Sequence, residues 1–285
     1  MTTPELVRDP AAWQARALQD RAQGRTLALV PTMGFLHDGH LSLMREARRR
    51  VGPQGVVLAS VFVNPTQFGP NEDLAAYPRD LEGDLRRCGE AGVTRVLAPA
   101  PEAMFPAGHQ TWIEVAGVSQ GLCGARRPGH FRGVATVVAK LLLLSQPHLA
   151  FFGEKDFQQL QVLRAMVRDL GFPVEVVGMP IVREPDGLAR SSRNSYLSPA
   201  ERTQALSLSR ALFQARDAAA AGERDAARLV AGARAALEAG GVRVDYVELM
   251  DPETLRPVER AVPGTVMLVA AFAGKTRLID NLRLP

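Results

Sequence analysis

Three short segments gather side chains that can grip or polarise a phosphate. The first is Val30-Pro31-Thr32-Met33-Gly34-Phe35-Leu36-His37-Asp38-Gly39-His40. It lies where an apolar, β-rich run ends and a helix pattern begins. A helix start offers N–H groups and a positive dipole end, which suits an anion. Gly34 and Gly39 let backbone come close to a ligand. His37 and His40 are three residues apart, share one face and can donate to phosphoryl oxygens. Taken singly, one histidine would cap the helix while the other faces water. A metal pair is the remaining option, and no third ligand lies nearby.

The second segment is Gly153-Glu154-Lys155-Asp156, followed by Gln158 and Gln159, again between a strand pattern and a helix pattern. Composition singles out its lysine. Of 34 basic residues, only Lys140, Lys155 and Lys275 are lysine. Coding bias toward GC or a thermophilic source accounts for that scarcity, and either lets a surface lysine drift to arginine. Lys155 persists at a strand end, where a compact ammonium meets a phosphate differently from a planar guanidinium. A surface salt bridge with Glu154 or Asp156 is the plainer role, and mid-helix Lys140 shows that scarcity alone proves nothing.

The third segment, Arg190-Ser191-Ser192-Arg193-Asn194, suits a clamp on a polyphosphate and equally a charged linker. Neutral amides at Asn64, Gln67 and Gln159 can hold hydroxyls or carbonyls of a small polar substrate, with turn-making the better alternative for Asn64. A basic loop, Arg126–Arg132, contains His130; His109 and His148 have no visible companions. The chain lacks a P-loop, a G-x-G-x-x-G after the first strand and a G-x-S-x-G elbow. Donors and cations without a protein nucleophile fit a reaction whose substrate brings the nucleophile.

These groups need elements to hold them. The first 182 residues alternate strand and helix patterns: helix from Asp9-Pro10 to Gly24, strand Thr26–Pro31, helix Gly39–Arg50, strand Val56–Val63, helix Asp80–Ala91 and strand Val93–Ala98. A strand at Trp112–Val115, a loop at Gly121–Gly133, helix Val134–Leu144, strand Leu149–Gly153, helix Asp156–Leu170 and strand Val174–Val182 follow. The alternation predicts an α/β domain with a parallel sheet covered on both faces, its ligands beyond the carboxyl ends of the strands. Residues 183–285 carry two helices, Pro199–Ala221 and Arg224–Ala239, then strands at Val242–Leu249, Thr265–Phe272 and Arg277–Leu282. That order predicts a smaller α+β C-terminal domain.

The 46% hydrophobic content excludes disorder, and a net charge of +4 with scattered arginines argues against a nucleic-acid binder. No secretory or membrane-spanning segment is evident, and Cys88 and Cys123 form no C-x-x-C. A cytoplasmic protein with two buried thiols is expected.

Pro31-Thr32-Met33-Gly34 with His37-Asp38-Gly39-His40, Phe62–Phe68, Arg127–Gly133, Phe152–Gln159, Ser191–Asn194 and the closing Leu278-Ile279-Asp280-Asn281 resemble the pantothenate synthetase (pantoate–β-alanine ligase) family essentially end to end. H-x-G-H alone would mark only the wider adenylate-forming and nucleotidyltransferase group. The resemblance implies a Rossmann-like domain over 1–182 that binds ATP and pantoate, a C-terminal lid over 183–285, a homodimer and a magnesium requirement. It implies a pantoyl-adenylate intermediate that β-alanine converts to pantothenate. By motif position, ATP contacts fall on Met33, Gly34, Phe35, Leu36, His37, Asp38, Gly39 and His40, on Gly153, Glu154, Lys155 and Asp156, and on Arg190, Ser191, Ser192 and Arg193, with Val182 acting through its backbone. Gln67, Gln159 and Asn64 match the pantoate and β-alanine side. His40, His37, Lys155 and Arg193 are the expected catalytic groups, and the metal ligands are unassigned. Arg190 departs from the Met or Leu usual before Ser-Ser-Arg.

Overall fold

The computed structural model describes residues 3–70 and 72–285, so Met1, Thr2 and Asn71 lie outside the described residues. The chain divides into two compact units. The first is the chain up to Glu154 together with Gln159–Pro180; the second is Lys155–Gln158 with Ile181–Pro285.

In the first unit the elements run β1 (Glu5–Val7), α1 (Pro10–Ala22), β2 (Leu27–Thr32), α2 (Asp38–Val51), β3 (Val56–Val61), α3 (Leu81–Glu90) and β4 (Arg95–Leu97). They continue as α4 (Pro101–Met104), α5 (Leu122–Arg126), α6 (His130–Ser145), β5 (Leu149–Gly153), α7 (Phe157–Asp169) and β6 (Glu175–Met179). Among the described residues six strands form one parallel sheet in the order β1-β4-β3-β2-β5-β6. Successive connections leave β2 toward β3 and β4 on one side, then toward β5 and β6 on the other. The direction reverses at β2, which makes the carboxyl ends of β3, β2 and β5 the natural ligand edge.

Both faces of the sheet are covered. Ala28, Val30, Val57, Ala59 and Phe151 pack with Leu41, Met44 and Ala47 of α2. The alternate residues Leu27, Leu29 and Leu58 are equally buried, on the face that α1 and α6 serve. Strands buried on both faces therefore read as continuous apolar runs. Asp9 caps α1 by accepting from the Ala11 and Ala12 amides, with Pro10 in the first turn. Buried Trp13 of α1 donates its indole N–H to Ser145 Oγ of α6 at 2.9 Å.

Two local expectations need correction, and one strand has no sequence pattern behind it. Trp112–Val115 forms no strand among the described residues; Ile113 N–H donates to Thr136 Oγ1 of α6 instead of a ladder partner. Gly121–Gly133 is not one loop, because α5 lies within it and α6 already begins at His130. The three-residue edge strand β1 went unforeseen, since its pattern is too short to show. Its Glu5 accepts from Arg95 Nε at 2.9 Å, and Arg95 Nη1 donates to Asp20 Oδ2 of α1 at 3.0 Å.

The second unit contains α8 (Pro199–Ala220), α9 (Ala226–Ala239), β7 (Arg243–Met250), β8 (Val266–Ala273) and β9 (Thr276–Arg283). Its strands form an antiparallel sheet in the order β7-β8-β9. Leu208, Leu212, Leu229 and Leu237 of the helices pack on Val247, Leu249, Met267 and Val269. Ser198 and Glu201 form a reciprocal cap at the start of α8. Among the described residues no helix is long and apolar enough to cross a membrane.

The buried Arg95 ties an edge strand to α1. Arg95→Met should lower stability by about 3 kcal/mol, because Asp20 loses a buried partner. The check is a lower urea midpoint at unchanged slope; a wild-type midpoint would show that Arg25, which also pairs with Asp20, suffices.

Candidate active site

At the carboxyl end of β2 the chain makes a left-handed turn, Gly34 at φ 82° and Phe35 at φ 49°, before α2 starts. His37 is the N-cap of α2, and its Nδ1 accepts from Gly39 N–H at 3.2 Å. His37 N–H in turn donates to His40 Nδ1 at 3.3 Å, closing a capping box made of two imidazoles. The rings lie 4.0 Å apart, centroid to centroid. A ring nitrogen that accepts carries no proton, so each neutral imidazole holds its proton on Nε2. Capping and donation are therefore not alternatives here: one nitrogen caps and the other is an N–H donor.

The backbone of this loop departs from the simple picture of a helix start offering bare amides. Gly34 N–H donates to Thr32 Oγ1 at 3.2 Å, while Phe35 and Leu36 donate to the two carboxylate oxygens of Asp84 at 2.9 and 2.7 Å. His37 and Gly39 donate to imidazoles, and His40 N–H donates to the His37 carbonyl. Six amides of the loop are thus taken up within the protein.

At the end of the neighbouring β3, Pro65–Gln67 forms a single 3-10 turn. Asn64, 1% exposed, caps it by accepting from Thr66 N–H and Oγ1–H. Its amide also donates to Gln67 Oε1 at 3.0 Å and to the Gly133 carbonyl. Asn64 is thus a turn-maker that aims Gln67. Gln67 Nε2 donates to Met33 Sδ at 3.2 Å, joining the β3 end to the β2 end.

The basic loop supports this turn from behind. His130 is bonded to the Gln67 carbonyl through Nδ1 at 2.8 Å and meets Arg127 Nη1 through Nε2 at 3.1 Å. Since arginine can only donate, Nε2 accepts and Nδ1–H donates. Arg127 pairs with Glu72; burial pushes that carboxyl up, and Arg127's hydrogen bonds and charge more than offset it, leaving its pKa lowered. At Gly133 a Cβ would lie 2.4 Å from the Thr66 carbonyl oxygen, so only glycine lets α6 seat against the turn. Gln159 is half-buried in the first turn of α7.

Glu154 and Lys155 leave the end of β5 in a 3-10 turn. Lys155 Nζ stands 3.8 Å from Asp156 Oδ2, a loose pairing. Within the second unit, Asn281 Nδ2 donates to the Lys155 carbonyl at 3.0 Å, and neighbouring Asp280 takes both Nη groups of Arg183 at 2.6 and 2.9 Å. Burial raises the pKa of Asp280, with Arg183 pulling the other way. The C-terminal Asp280-Asn281 pair, foreseen only as part of a motif, therefore anchors Lys155 and the loop that starts at Arg183. His148 also gains a partner that its sequence neighbours did not reveal, accepting from Leu27 N–H; His109 packs between Phe105 and Trp112.

That loop carries Arg190 to Arg193. Ser191 Oγ accepts from Arg193 N–H and caps the turn Ser192–Tyr196. Arg190 N–H donates to the Val182 carbonyl at 2.9 Å. The carboxylate of Glu184 accepts from Asn194 at 2.8 Å and from Arg202, and pairs with Arg190 at 3.2 Å. Burial pushes Glu184 up, but the hydrogen bonds of Asn194 and Arg202 outweigh it and leave the pKa below the ordinary 4.5. A carboxylate depressed in this way stabilises the fold above its ordinary pKa, and that contribution is lost as pH falls through the native value. Glu184→Gln should therefore lower stability near neutrality and flatten its decline as pH falls through and below the ordinary 4.5. Urea unfolding followed by circular dichroism at several pH values measures this; an unchanged acid slope would remove Glu184 from the role.

The comparisons with known proteins agree with one another. The family model described as pantoate-beta-alanine ligase matches residues 5–283. Pantothenate synthetase of Anaeromyxobacter dehalogenans is 68% identical, with 100% of each chain covered. The crystal structure of pantothenate synthetase from Thermus thermophilus superposes with a TM-score of 0.92 at 50% identity, covering 99% of this chain and 100% of that one. Pantoate-beta-alanine ligase from Francisella tularensis, complexed with beta-gamma ATP and beta-alanine, gives a TM-score of 0.81 at 29% identity, covering 98% and 97%. With its histidine-capped loop, amide turn and full-length match, the chain belongs to the pantoate–β-alanine ligase family.

Proposed function

We propose that this chain joins pantoate to β-alanine through an acyl adenylate. A pantoate carboxylate oxygen attacks the α-phosphorus of ATP, and pyrophosphate leaves. The β-alanine amine then attacks the acyl carbon, loses a proton, and AMP leaves with the electrons of the mixed-anhydride bond. The observation that carries this reading is the bond between Gln67 and Met33, which sets the amide turn beside the histidine loop on adjacent strand ends. The family membership and the Francisella relative, complexed with beta-gamma ATP and beta-alanine, support the same substrates.

In this reading His37 and His40 donate Nε2–H to phosphoryl oxygens, and His40 protonates the departing group. Lys155 and Arg193 supply positive charge as negative charge grows on the phosphate. Gln67 and Gln159 hold the pantoate and β-alanine side with their amides, and Asn64 acts through Gln67. The remaining ATP contacts fall on Met33 to Gly39, on Gly153, Glu154 and Asp156, and on Val182, Ser191 and Ser192. Among the described residues no three His, Cys, Asp or Glu side chains cluster as metal ligands. Magnesium would enter with the phosphates of ATP, which supply most of its ligands and need at most one or two carboxylates from the protein. The family resemblance also carries a homodimer in the cytoplasm, where Cys88 and Cys123, buried and outside any disulfide, stay reduced.

Release of AMP from ATP that requires both pantoate and β-alanine is the direct test; pyrophosphate exchange independent of pantoate would point to another acceptor. Lys155→Ala should cut kcat on the order of 10²–10³-fold. Its fold should persist, because Asn281 holds the main-chain carbonyl and the side chain is only loosely paired. Wild-type turnover would exclude Lys155 from the mechanism. Arg190→Met should leave the KM for ATP within tenfold of wild type, since Glu184 already engages that guanidinium; a larger rise would make Arg190 a phosphate ligand.

A further inference from the structure

We propose that Asp84 is a positioning residue for adenylation: its carboxylate takes up the Phe35 and Leu36 amides, and so aims the two histidines and assigns phosphate recognition to their Nε2–H groups. The inference rests on the proposed function for the chemistry at the histidines, but its geometry is independent of it.

Asp84 lies on α3, far in sequence from the loop, and is 2% exposed. Each carboxylate oxygen accepts one of two consecutive amides, at 2.9 and 2.7 Å. A second group from the same helix completes the grip, since Arg87 Nη1 donates to the Leu36 carbonyl at 2.8 Å. The turn being held is one that the chain would not keep unaided. Phe35 is a bulky residue in the left-handed region, and Gly34 precedes it at positive φ. A Cβ at Gly34 would stand 2.8 Å from Asp84 Oδ2 and 2.9 Å from Val61 Cγ1, so glycine here answers both the φ and the approach of the carboxylate. Burial, with a smaller push from the charge of Asp80, leaves the pKa of Asp84 raised, although the Leu36 and Phe35 amides and Arg87 favour the charged form.

Chemical consequences follow from where the amides point. Consecutive N–H groups in a turn make an anion nest, as in a P-loop. Here the nest is occupied by the protein's own carboxylate, which would repel a phosphate placed on the same amides. The Leu36 peptide, fixed on both its N–H and its carbonyl, leads directly into His37. Its orientation therefore sets the N-cap, and the cap sets the tautomer of both rings.

Asp84→Asn removes one acceptor and opposes an NH2 to one amide. We expect kcat for pantoate-dependent ATP–pyrophosphate exchange to fall at least tenfold, with the KM for pantoate little changed. Nitrogen-15 imidazole spectra of the full chain should show His37 and His40 losing their Nε2–H bias, while His130 and His148 keep their states. A merely structural Asp84 would lower the melting temperature and leave both tautomers and turnover per folded molecule intact; that result overturns the proposal. If Asp84→Asn does not fold, Arg87→Met tests the same grip by the same two readouts, and unchanged values there count against it. Wild-type chain without the exchange reaction would overturn the proposed function instead, and the tautomer spectra would then decide the clamp alone.

Discussion

A strand-to-helix turn that passes through left-handed backbone must have its amides paired, or it will not hold one shape. Asp84 meets that requirement for the loop between β2 and α2. The same pairing fixes the entry to α2, and the entry is built from two imidazoles rather than the usual hydroxyl or carboxylate cap. Imidazole is the unusual choice because it has a second nitrogen. A serine cap spends its oxygen on the helix; a histidine cap spends Nδ1 and keeps an N–H on Nε2. Structural and chemical duties thus share a side chain without competing for an atom.

Supporting residues elsewhere follow a similar logic, with a candidate site residue held in place by a neighbour or by a distant element. Gln67 is aimed by Asn64 through its amide and held at its carbonyl by His130. Lys155 is held at its carbonyl by Asn281, which leaves the ammonium almost unpaired. In the second unit Glu184 gathers Asn194, Arg202 and Arg190, so the loop bearing Ser191 to Arg193 is braced by one carboxylate. Burying that carboxylate is offset by the hydrogen bonds it accepts, as a buried charge requires.

The elements were legible where a pattern had room to repeat. Strand β5 was read with its true ends, and the two helices of the second unit within two residues. Short or isolated features were not: β1 spans three residues, α5 five, and Trp112–Val115 has a strand's alternation without a neighbour to pair with. Alternation predicts a strand only if a second edge is there to receive its hydrogen bonds. The extra turn at the start of α6 was missed for a different reason. Arg127-Pro128-Gly129 looks like loop, and the helix begins immediately after it because His130 is held by Arg127 and the Gln67 carbonyl.

By itself, the sequence determined the alternation that makes a parallel sheet, the strand-end positions of the candidate site residues, and the family to which those motifs point. These are local properties, set by side-chain period, turn chemistry and residue type within a few positions. Tertiary structure alone decided which atoms remain available. Asp84 reaches the loop from 48 and 49 residues away, and Asn281 reaches Lys155 from 126. No local pattern encodes such pairings, because they depend on how helices and strands are stacked after the chain has folded. The sequence named the histidines; only the fold showed that each spends its Nδ1 on a backbone amide.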